Sequence, residues 1–595
     1  MQDRKYYCNP LNFSYKYQFN KQSDGKIKVS REAADPSMIM FRDRYYIFPS
    51  MTCGFLYSDD MAEWKFHPAK NLPSYDYAPD VRVVGEYIYF CASNHEEGCF
   101  FRTKDLFSDT YEEFKSQFPF WDPDLFLDDD GRMYFYYGSF CDGRPVYGIE
   151  LNPENMMPNG ERAELIFPDP GSKGFERGGE NHIPKHTPEE VKVMLEQLEH
   201  IPGMSDEMKA SAKAYLASAP YVEGAWMTKH NGIYYLQYGT PGAGVNVYAD
   251  GLYVSRSPLG PFELADNNPF SYKPGGFIPG AGHGSTMEDR HGNLWHISTA
   301  RICINHNFER RICLWPSGFD ADDELFCNQR YGDWPMRVEQ SVFDPWSEPE
   351  WMLLSYGKTV NASSCAEGYS CSAATDENVQ TWWKAASAGP GEWLMVDLGR
   401  EYEVHAIQIN FADDNLVLPL PEGAALTGAL HQERWIDEVM QRTRWILEGS
   451  VDGKEFFTIE DKSQVETDLP HDLIVREDGI RARCIRLTII ELPYGQNACV
   501  SGLRIFGLGE GEKPDPVSVV TAVRTGALDL DVSWEGRATG YVVEWGHSPE
   551  KLYHSWQVFR PFAQIGGLVK DQDVYIRVDS FNDSGITHGT VMGPV

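Results

Sequence analysis

Short runs of alternating aromatic and aliphatic residues follow a turn at five places in the first half of the chain. These runs lie at residues 44–48, 85–90, 131–137, 232–236 and 292–296, and four of them begin with glycine. No amphipathic helix separates the first three, so the period of two indicates consecutive antiparallel strands. Five copies of one β unit predict a five-bladed propeller, in which radial repetition leaves only short sheet edges.

An acidic residue stands before three of these runs, at about ten residues' distance, which is roughly two short strands. These residues are Asp35, Asp122 and Glu223. The innermost strands of a propeller converge on its axis, so equivalent positions in the repeats bring the three carboxylates to one pocket. Asp80 opens the second repeat in a similar way and is a fourth candidate for the pocket wall, although aspartate beside proline is also a common turn residue.

The repeat is interrupted between its third and fourth copies, at residues 186–219. Thr187-Pro188-Glu189-Glu190 has the pattern of a capping box with proline at the first helical position. Apolar residues then recur at helical spacing, and a second helix is expected from Ser205. The sequence therefore predicts a helical hairpin at the rim of the pocket. It either walls off the site and favours attack at a chain end, or has no role in the reaction.

The pattern changes again near residue 355. Residues 346–510 contain alternating and buried strand patterns that predict a β-sandwich, interrupted at 412–441 by a stretch with a short helical run at 432–440. A linker rich in Gly, Lys and Pro leads to a second, smaller sandwich at 511–595. The expected fold is therefore all-β: a propeller over 1–345, whose first thirty residues help to close the ring, followed by two sandwiches.

Composition narrows the classes of partner. With 595 residues the chain is too long for a single core. Aromatic residues make up 13% of it, which suits an all-β protein that binds sugars or other flat ligands. The formal net charge of −35 disfavours nucleic acid and anionic membranes as partners. No apolar run approaches the length of a membrane span.

The expected location is cytoplasmic. The first ten residues have no hydrophobic signal region. The 12 cysteines form no Cys-x-x-Cys pair or dense framework, which favours free thiols. The protein would instead be secreted if a signal has been removed. The oligomeric state is left open.

Three carboxylates around one pocket suit the cleavage of a glycosidic bond. One must be protonated to donate to the leaving oxygen and another ionised to activate water, and their surroundings must hold the two pKa values apart. A third carboxylate beside the acid raises its pKa by like-charge repulsion.

The propeller region resembles glycoside hydrolase family 43, whose members act on arabinose- and xylose-containing glycans. The resemblance rests on Ala34-Asp35-Pro36-Ser37, Tyr77-Ala78-Pro79-Asp80-Val81, the stretch 122–131, Glu223-Gly224-Ala225-Trp226 and Gly282-His283-Gly284-Ser285. It implies that Asp35 is the general base, Glu223 the general acid and Asp122 the carboxylate that tunes the acid. The family pattern places the functional acid before the proline, which selects Asp122 over Asp124. It also implies inversion of the anomeric centre, with acid and base roughly 6.5–9.5 Å apart.

The resemblance suggests further site residues. His283 is similar to a histidine near the propeller axis that helps to hold a calcium ion, partly through water; the alternative is a histidine hydrogen-bonded in the core. Arg310 or Arg311 resembles an arginine that contacts the site, and either is also consistent with a surface charge pair. Phe120, Trp121 and Trp226 flank the carboxylates and either stack on a sugar or pack in the core.

The second domain resembles a discoidin-type (factor 5/8 type C) domain through residues 376–383 and 393–399, and the third resembles fibronectin type III. For the second domain the resemblance implies either a carbohydrate-binding module or a structural support for the propeller. For the third domain it implies a spacer.

The expected function is that of an inverting exo-glycosidase that releases terminal pentose, α-L-arabinofuranose first, from an oligosaccharide or polysaccharide of plant type. A β-D-xylosidase and a galactose-type glycosidase of the same fold are the alternatives. A non-catalytic glycan-binding protein is the alternative from another class.

Overall fold

The computed structural model describes residues 5–22, 24–72, 77–93, 98–138, 145–177, 187–200, 209, 222–244, 247–338, 341–423, 426–427 and 433–595. Its described part contains no helix with the length and apolar character that crossing a membrane would require. Before the propeller lie three strands, β1 (Lys5–Tyr7), β2 (Lys16–Lys21) and β3 (Ile27–Glu32).

The propeller consists of five four-stranded antiparallel sheets, each built from four consecutive strands. Blade 1 comprises β4 (Ser37–Phe41), β5 (Arg44–Phe48), β6 (Gly54–Ser58) and β7 (Lys65–Pro68). Blade 2 comprises β8 (Asp80–Val84), β9 (Tyr87–Cys91), β10 (Cys99–Thr103) and β11 (Glu112–Lys115). Blade 3 comprises β12 (Trp121–Leu127), β13 (Met133–Gly138), β14 (Val146–Leu151) and β15 (Ala163–Ile166).

The last two blades follow the inserted segment. Blade 4 comprises β16 (Glu223–His230), β17 (Ile233–Thr240), β18 (Ala249–Ser255) and β19 (Glu263–Leu264). Blade 5 comprises β20 (Gly282–Glu288), β21 (Leu294–Arg301), β22 (Arg310–Phe319) and β23 (Leu325–Cys327). The five aromatic runs all fall on the second strand of a blade, so the propeller predicted from the repeat is confirmed.

The innermost strands form a closed ring. β4 contacts β8, β8 contacts β12, and the series continues through β16 and β20 back to β4. A side chain at the same place in each innermost strand ties its blade to the next: in four blades it accepts a backbone N–H, and in blade 4 an indole N–H donates. The pairs are Ser37 with Val81, Asp80 with Leu125, Asp124 with Met227, Trp226 with the carbonyl of Thr286, and Ser285 with Met38. Blade 5 is therefore joined to blade 1 by the contact that joins the other blades.

The first thirty residues do not close the ring, contrary to expectation. β1 pairs with β24 (Met336–Val338), which follows the propeller. β2 and β3 form a hairpin, and β2 also pairs with a strand of the second domain. Because blade 5 supplies all four of its own strands, no outside strand is needed for closure.

The second domain is a β-sandwich with two long strands of 19 and 21 residues, whose mutual pairing shifts register part-way along. Its strands are β25 (Met352–Leu353), β26 (Thr359–Ala362), β27 (Trp383–Lys384), β28 (Trp393–Phe411), β29 (Leu426–Thr427), β30 (Glu433–Ile436), β31 (Arg444–Ser450), β32 (Phe457–Asp461), β33 (His471–Glu491) and β34 (Cys499–Leu508). β29 and β30 leave the sandwich and complete a sheet of order β29-β30-β2-β3. The short helix expected at 432–440 is wrong where the chain is described, because Glu433–Ile436 pairs with β2 and tertiary pairing overrides helix propensity.

The third domain has seven strands in two sheets of order β35-β36-β39 and β38-β37-β40-β41. They are β35 (Ser518–Arg524), β36 (Leu530–Glu535), β37 (Gly540–Gly546), β38 (His554–Val558), β39 (Phe562–Ile565), β40 (Tyr575–Asn582) and β41 (Gly585–Thr587). It is the second predicted sandwich, and its likeness to fibronectin type III stays a prediction.

The insertion contains the helix α1 (Pro188–Glu199), which begins with the predicted capping box between Thr187 and Glu190. The second helix of the predicted hairpin lies outside the described residues. Short 3-10 turns occur at Leu106–Ser108, Gly174–Glu176, Cys371–Thr375 and Pro493–Gly495.

Both sandwiches pack against the propeller. Phe175 and Tyr272 of the propeller share one apolar core with Trp545 and Leu568 of the third domain. The second domain is joined to the N-terminal hairpin through buried ion pairs, among them Arg31 with Asp413 and Asp468. Val379 of the second domain also lies in an apolar core with Phe277 of the propeller, so apolar packing joins both sandwiches to the propeller.

Candidate active site

The chain enters every innermost strand through a residue with a left-handed backbone. The five residues, one per blade, are Asp35 (φ 47°), Ala78 (φ 49°), Asp122 (φ 46°), Gly224 (φ 56°) and His283 (φ 48°). In blades 3, 4 and 5 the strand pairing is also shifted at this point, as in a β-bulge. A bulge re-aims the side chains beside it, and such backbone strain is concentrated at functional sites. The ring therefore presents five equivalent positions around its axis.

Asp35 is held on both of its carboxylate oxygens. Oδ1 accepts a hydrogen bond from Arg310 Nη1 at 2.8 Å, and Oδ2 accepts one from Ser50 Oγ at 2.8 Å. The backbone N–H of Asp35 donates to Thr299 Oγ1. Asp35 is 5% exposed and keeps a buried guanidinium as its direct partner. These contacts fix the orientation of the Asp35 carboxylate.

Asp122 and Glu223 accept hydrogen bonds from neutral hydroxyl groups. Ser93 Oγ donates to Asp122 Oδ1 at 2.9 Å, and the Tyr248 hydroxyl donates to Glu223 Oε1 at 2.8 Å. Ligand atoms of Asp122, Glu223 and His283 all lie within 4.8 Å of one another. Asp35 lies outside that group, but its Oδ1 is 3.6 Å from His283 Nδ1. The structure thus brings the three carboxylates predicted from the sequence around one imidazole.

Gly224 is required where the His283 ring passes beside the Glu223 strand. A Cβ at this position would lie 2.6 Å from the ring. The backbone of His283 is fixed by Asp250, whose two carboxylate oxygens accept the N–H groups of His283 and Gly284 at 2.6 and 3.0 Å. Asp250 therefore fixes the backbone of His283, and Gly224 leaves the space that the imidazole ring occupies.

Burial and like charges separate the protonation behaviour of these groups. Burial, followed by the charge of Asp122, raises the pKa of Glu223 to about 7. The pKa of Asp122 is also raised, by burial and then by Asp35. Burial acts to lower the pKa of His283, but the three surrounding carboxylates outweigh it and the pKa is raised. Glu223 is thus a carboxyl that keeps its proton near neutral pH, which a general acid needs.

The cluster of Asp122, Glu223 and His283 offers two carboxylates and one ring nitrogen to a cation. Calcium takes six to eight oxygen ligands. The residues present therefore do not fit a directly coordinated calcium ion, and no step is assigned to one. The calcium ion expected from the resemblance stays a prediction, which activity measured after chelation and again after calcium addition tests.

Three predicted substrate contacts are instead engaged inside the blades. Asp80 is 3% exposed, and its carboxylate accepts the backbone N–H of Leu125 at the junction with blade 3. Phe120 packs between Phe100 and Phe135. The Trp226 indole donates to the next blade and carries the Arg82 guanidinium at 3.3 Å from its ring. Asp80 and Trp226 lie two residues beyond the left-handed position, where side chains turn into the blade junction, so a substrate contact is not supported for them.

Trp121 and Arg310 keep positions at the site. Trp121 is half-buried and holds in blade 3 the position that Glu223 holds in blade 4. Each directly precedes the left-handed residue of its blade, and each is paired with a glycine of the next strand, Gly138 and Gly239. Arg310, rather than Arg311, reaches Asp35, because Arg311 donates to His471 in the second domain.

Sequence reasoning missed the hydroxyl groups that hold the acids: those of Ser50, Ser93 and Tyr248 donate to the carboxylates, and that of Thr299 accepts the backbone N–H of Asp35. A signal for two of them was available. Ser50 follows Asp35 by 15 residues, and Ser93 follows Ala78 by the same interval. Aligning the repeats beyond their aromatic runs would have shown both.

Comparison with known proteins identifies two parts of the chain. Residues 194–325 match the family model for glycosyl hydrolases family 43, and residues 359–418 match that of the F5/8 type C domain. The first match includes Glu223, His283 and Arg310.

Three characterised relatives align with the chain at low identity. Xylosidase/arabinosidase 43A of Humicola insolens is 26% identical over 266 residues, which are 38% of this chain and 77% of that protein. Beta-D-galactofuranosidase xynD of Aspergillus niger (strain ATCC MYA-4892 / CBS 513.88 / FGSC A1513) is 26% identical over 250 residues, 38% of this chain and 62% of that protein. A beta-xylosidase of Xylanibacter ruminicola is 27% identical over 143 residues, 24% of this chain and 38% of that protein.

Solved structures give distant likenesses. A structure described as a glycoside hydrolase has a TM-score of 0.43 at 16% identity and covers 80% of this chain and 97% of its own. The family 43 protein BlXynB of Bacillus licheniformis has a TM-score of 0.39 at 14% identity and covers 84% of this chain and 98% of its own.

Proposed function

We propose that this chain, a glycosidase whose residues 194–325 match the family 43 model, is an inverting exo-glycosidase that releases terminal pentose from plant-type glycans. The observation that carries the mechanism is the unequal setting of its carboxylates. Glu223 has its pKa raised to about 7 by burial and by Asp122, whereas Asp35 is paired with a guanidinium. An acid and a base held apart in this way are what hydrolysis of a glycosidic bond requires.

In the proposed reaction Glu223 protonates the oxygen of the leaving group as the bond to the anomeric carbon breaks. Asp35 takes a proton from a water molecule, whose oxygen forms the new bond to the anomeric carbon from the opposite face. Asp122 keeps Glu223 protonated through its negative charge, and Arg310 orients Asp35. His283, surrounded by the three carboxylates, limits the charge that accumulates among them.

The sugar is proposed as α-L-arabinofuranose, with β-D-xylose second. The name of the Humicola insolens relative covers both activities, and that of the Xylanibacter ruminicola relative the second. A galactose-type activity is kept as a third candidate because the Aspergillus niger relative is named a β-D-galactofuranosidase. The intact acid and base favour hydrolysis over glycan binding without catalysis.

Hydrolysis of a panel of nitrophenyl furanosides and pyranosides, with NMR detection of the anomer first formed, tests this function. We expect α-L-arabinofuranoside to be cleaved fastest, with an inverted product. Glu223→Gln should fold normally and lower kcat by about 10²–10⁴-fold, the range typical of lost acid catalysis. Full activity of that variant, or a retained anomer, would contradict the proposed roles.

A matched control is Glu263→Gln, which alters a glutamate on the outermost strand of the same blade. It should leave kcat unchanged, since that strand is the farthest from the axis within the blade.

A further inference from the structure

A side chain of the second domain reaches the wall of the propeller pocket. Arg434 lies on β30, in the sheet that the second domain shares with the N-terminal hairpin. It is 3% exposed, and its three guanidinium nitrogens donate to three residues outside the second domain: Nε to Gln18 Oε1 of β2 at 3.3 Å, Nη1 to the Tyr77 hydroxyl beside blade 2, and Nη2 to Glu32 Oε2 of β3.

Glu32 connects this arginine to the residue that we propose as the general base. Its other oxygen, Oε1, accepts a hydrogen bond from Arg310 Nη2 at 2.6 Å, while Arg310 Nη1 donates to Asp35 Oδ1 at 2.8 Å. Glu32 and Arg310 are both almost fully buried. The result is an alternating series of charges, Arg434–Glu32–Arg310–Asp35, in which each charge has an opposite neighbour.

Tyr77 provides the second contact with the site. It directly precedes Ala78, the left-handed residue of blade 2, and so holds in that blade the place that Glu223 holds in blade 4. The guanidinium groups of Arg434 and Arg310 lie 5.1 and 5.7 Å from the centre of its ring. Phe308 packs on the same ring at 5.4 Å and lies 4.8 Å from the Arg310 guanidinium.

We propose that Arg434 is a positioning residue of the active site, so that the second domain completes the catalytic site of the propeller. This rests on the proposed function, because it assigns Asp35 a role in catalysis. Without Arg434, Glu32 would keep Arg310 as its only cation of the series. The Arg310 guanidinium would then be drawn towards Glu32 and away from Asp35, which would misalign the base without touching the sugar. The rival explanation is that Arg434 only anchors one domain to another.

The test compares Arg434 with Arg504, a second buried arginine that also joins the two domains. Arg504 pairs with Glu377 of its own domain and donates to the backbone carbonyl of Asp333 in the propeller, and it has no contact with Glu32, Arg310 or Asp35. In the full chain we expect Arg434→Met to lower kcat about tenfold or more with KM changed less than about threefold, as for an interaction needed in the transition state. Arg504→Met should lower the melting midpoint to a similar degree while kcat stays near that of the wild type.

Lysine variants keep the test decisive if either methionine variant fails to fold. Lysine retains the charge but lacks the planar guanidinium with which Arg434 donates hydrogen bonds to Glu32 and Tyr77 at the same time. Arg434→Lys should therefore restore part of kcat, and combined with Arg310→Lys it should give a non-additive effect, whereas Arg504→Lys and Arg310→Lys should add independently. An Arg434 variant that folds with unchanged kcat, or additive behaviour in both pairs, overturns the inference. If the wild type cleaves none of the panel, the proposed function itself has failed.

Discussion

At the scale of single residues, the site is organised by one unusual backbone conformation repeated around the ring. Residues with a Cβ adopt positive φ at a cost of about 1–2 kcal/mol unless they are Asn or Asp, which tolerate it better. Two of the five positions carry aspartate and one carries glycine, so the conformation is inexpensive where the acids stand. Asp35 and Asp122 therefore project from a backbone conformation that aspartate tolerates.

The protonation of Glu223 gives a prediction with a defined sign. The acid must carry its proton, so kcat/KM should fall as the pH rises through about 7, the value that burial and Asp122 give to the pKa of Glu223. Asp122→Asn removes a charge that raises this pKa, and the fall should move to lower pH. Tyr248→Phe removes a hydrogen bond that lowers it, and the fall should move to higher pH. Shifts in the same direction in the two profiles would show that Glu223 is not the titrating acid.

At the scale of elements, each innermost strand is joined to the next by a hydrogen-bonding side chain at the same place in the strand. Ser285 Oγ makes the closing one: it accepts the N–H of Met38 at 3.0 Å and donates to the carbonyl of Pro36 at 2.8 Å. Both partners follow Asp35 within three residues. The contact that joins blade 5 to blade 1 therefore also holds the backbone next to the proposed base.

Removing that hydroxyl should be measurable as a loss of stability. Ser285→Ala leaves a buried N–H and a buried carbonyl without their partner, which typically costs about 1–3 kcal/mol. Ser30→Ala on β3 is the control, because the Ser30 hydroxyl is equally buried but has no hydrogen-bond partner in the described part of the chain. We expect a lower melting midpoint by circular dichroism for the first variant only, and equal midpoints would mean that the contact contributes nothing to closure.

How far the sequence predicts the site depends on whether a residue belongs to the repeat. Asp35, Asp122 and Glu223 could be found because each stands before a copy of the aromatic run, and the register of a β unit carries over from blade to blade. The repeat also suggested Asp80 for the pocket wall, but Ala78 holds the equivalent position in blade 2. Two residues further along the strand, the side chain of Asp80 lies at the blade junction instead of the pocket. Arg434 could not be found, because its link to Glu32 spans 402 residues and depends on how two domains meet.

At the scale of the whole molecule, the third domain behaves as part of the propeller. Residues 172–174 exchange backbone hydrogen bonds with residues 568–570, and Arg177 forms an ion pair with Asp529 at 2.7 Å. Together with the shared apolar core, these contacts leave no flexible spacer between them. The expectation of a spacer role is not supported by this packing.

A shared core predicts shared melting. Leu568→Ala empties a position that is 3% exposed and should cost about 2–5 kcal/mol. Val523→Ala alters a side chain of the same domain that is 53% exposed and should cost little. Thermal loss of activity and of the circular dichroism signal should both move to lower temperature in the first variant. Unfolding of the third domain with activity preserved would show that it is an independent unit.

Of the five left-handed positions in the ring, three carry a polar side chain and one carries glycine, whereas blade 2 has Ala78. Its backbone has the conformation that aspartate and asparagine tolerate best. Its N–H is satisfied by Ser50, the same hydroxyl that binds Asp35. An engineer who wished to redesign specificity would therefore find in blade 2 a ready anchoring point for a new functional group. Ala78→Asp would add a carboxylate at the position that Asp35 and Asp122 hold in their blades, with no change in backbone conformation.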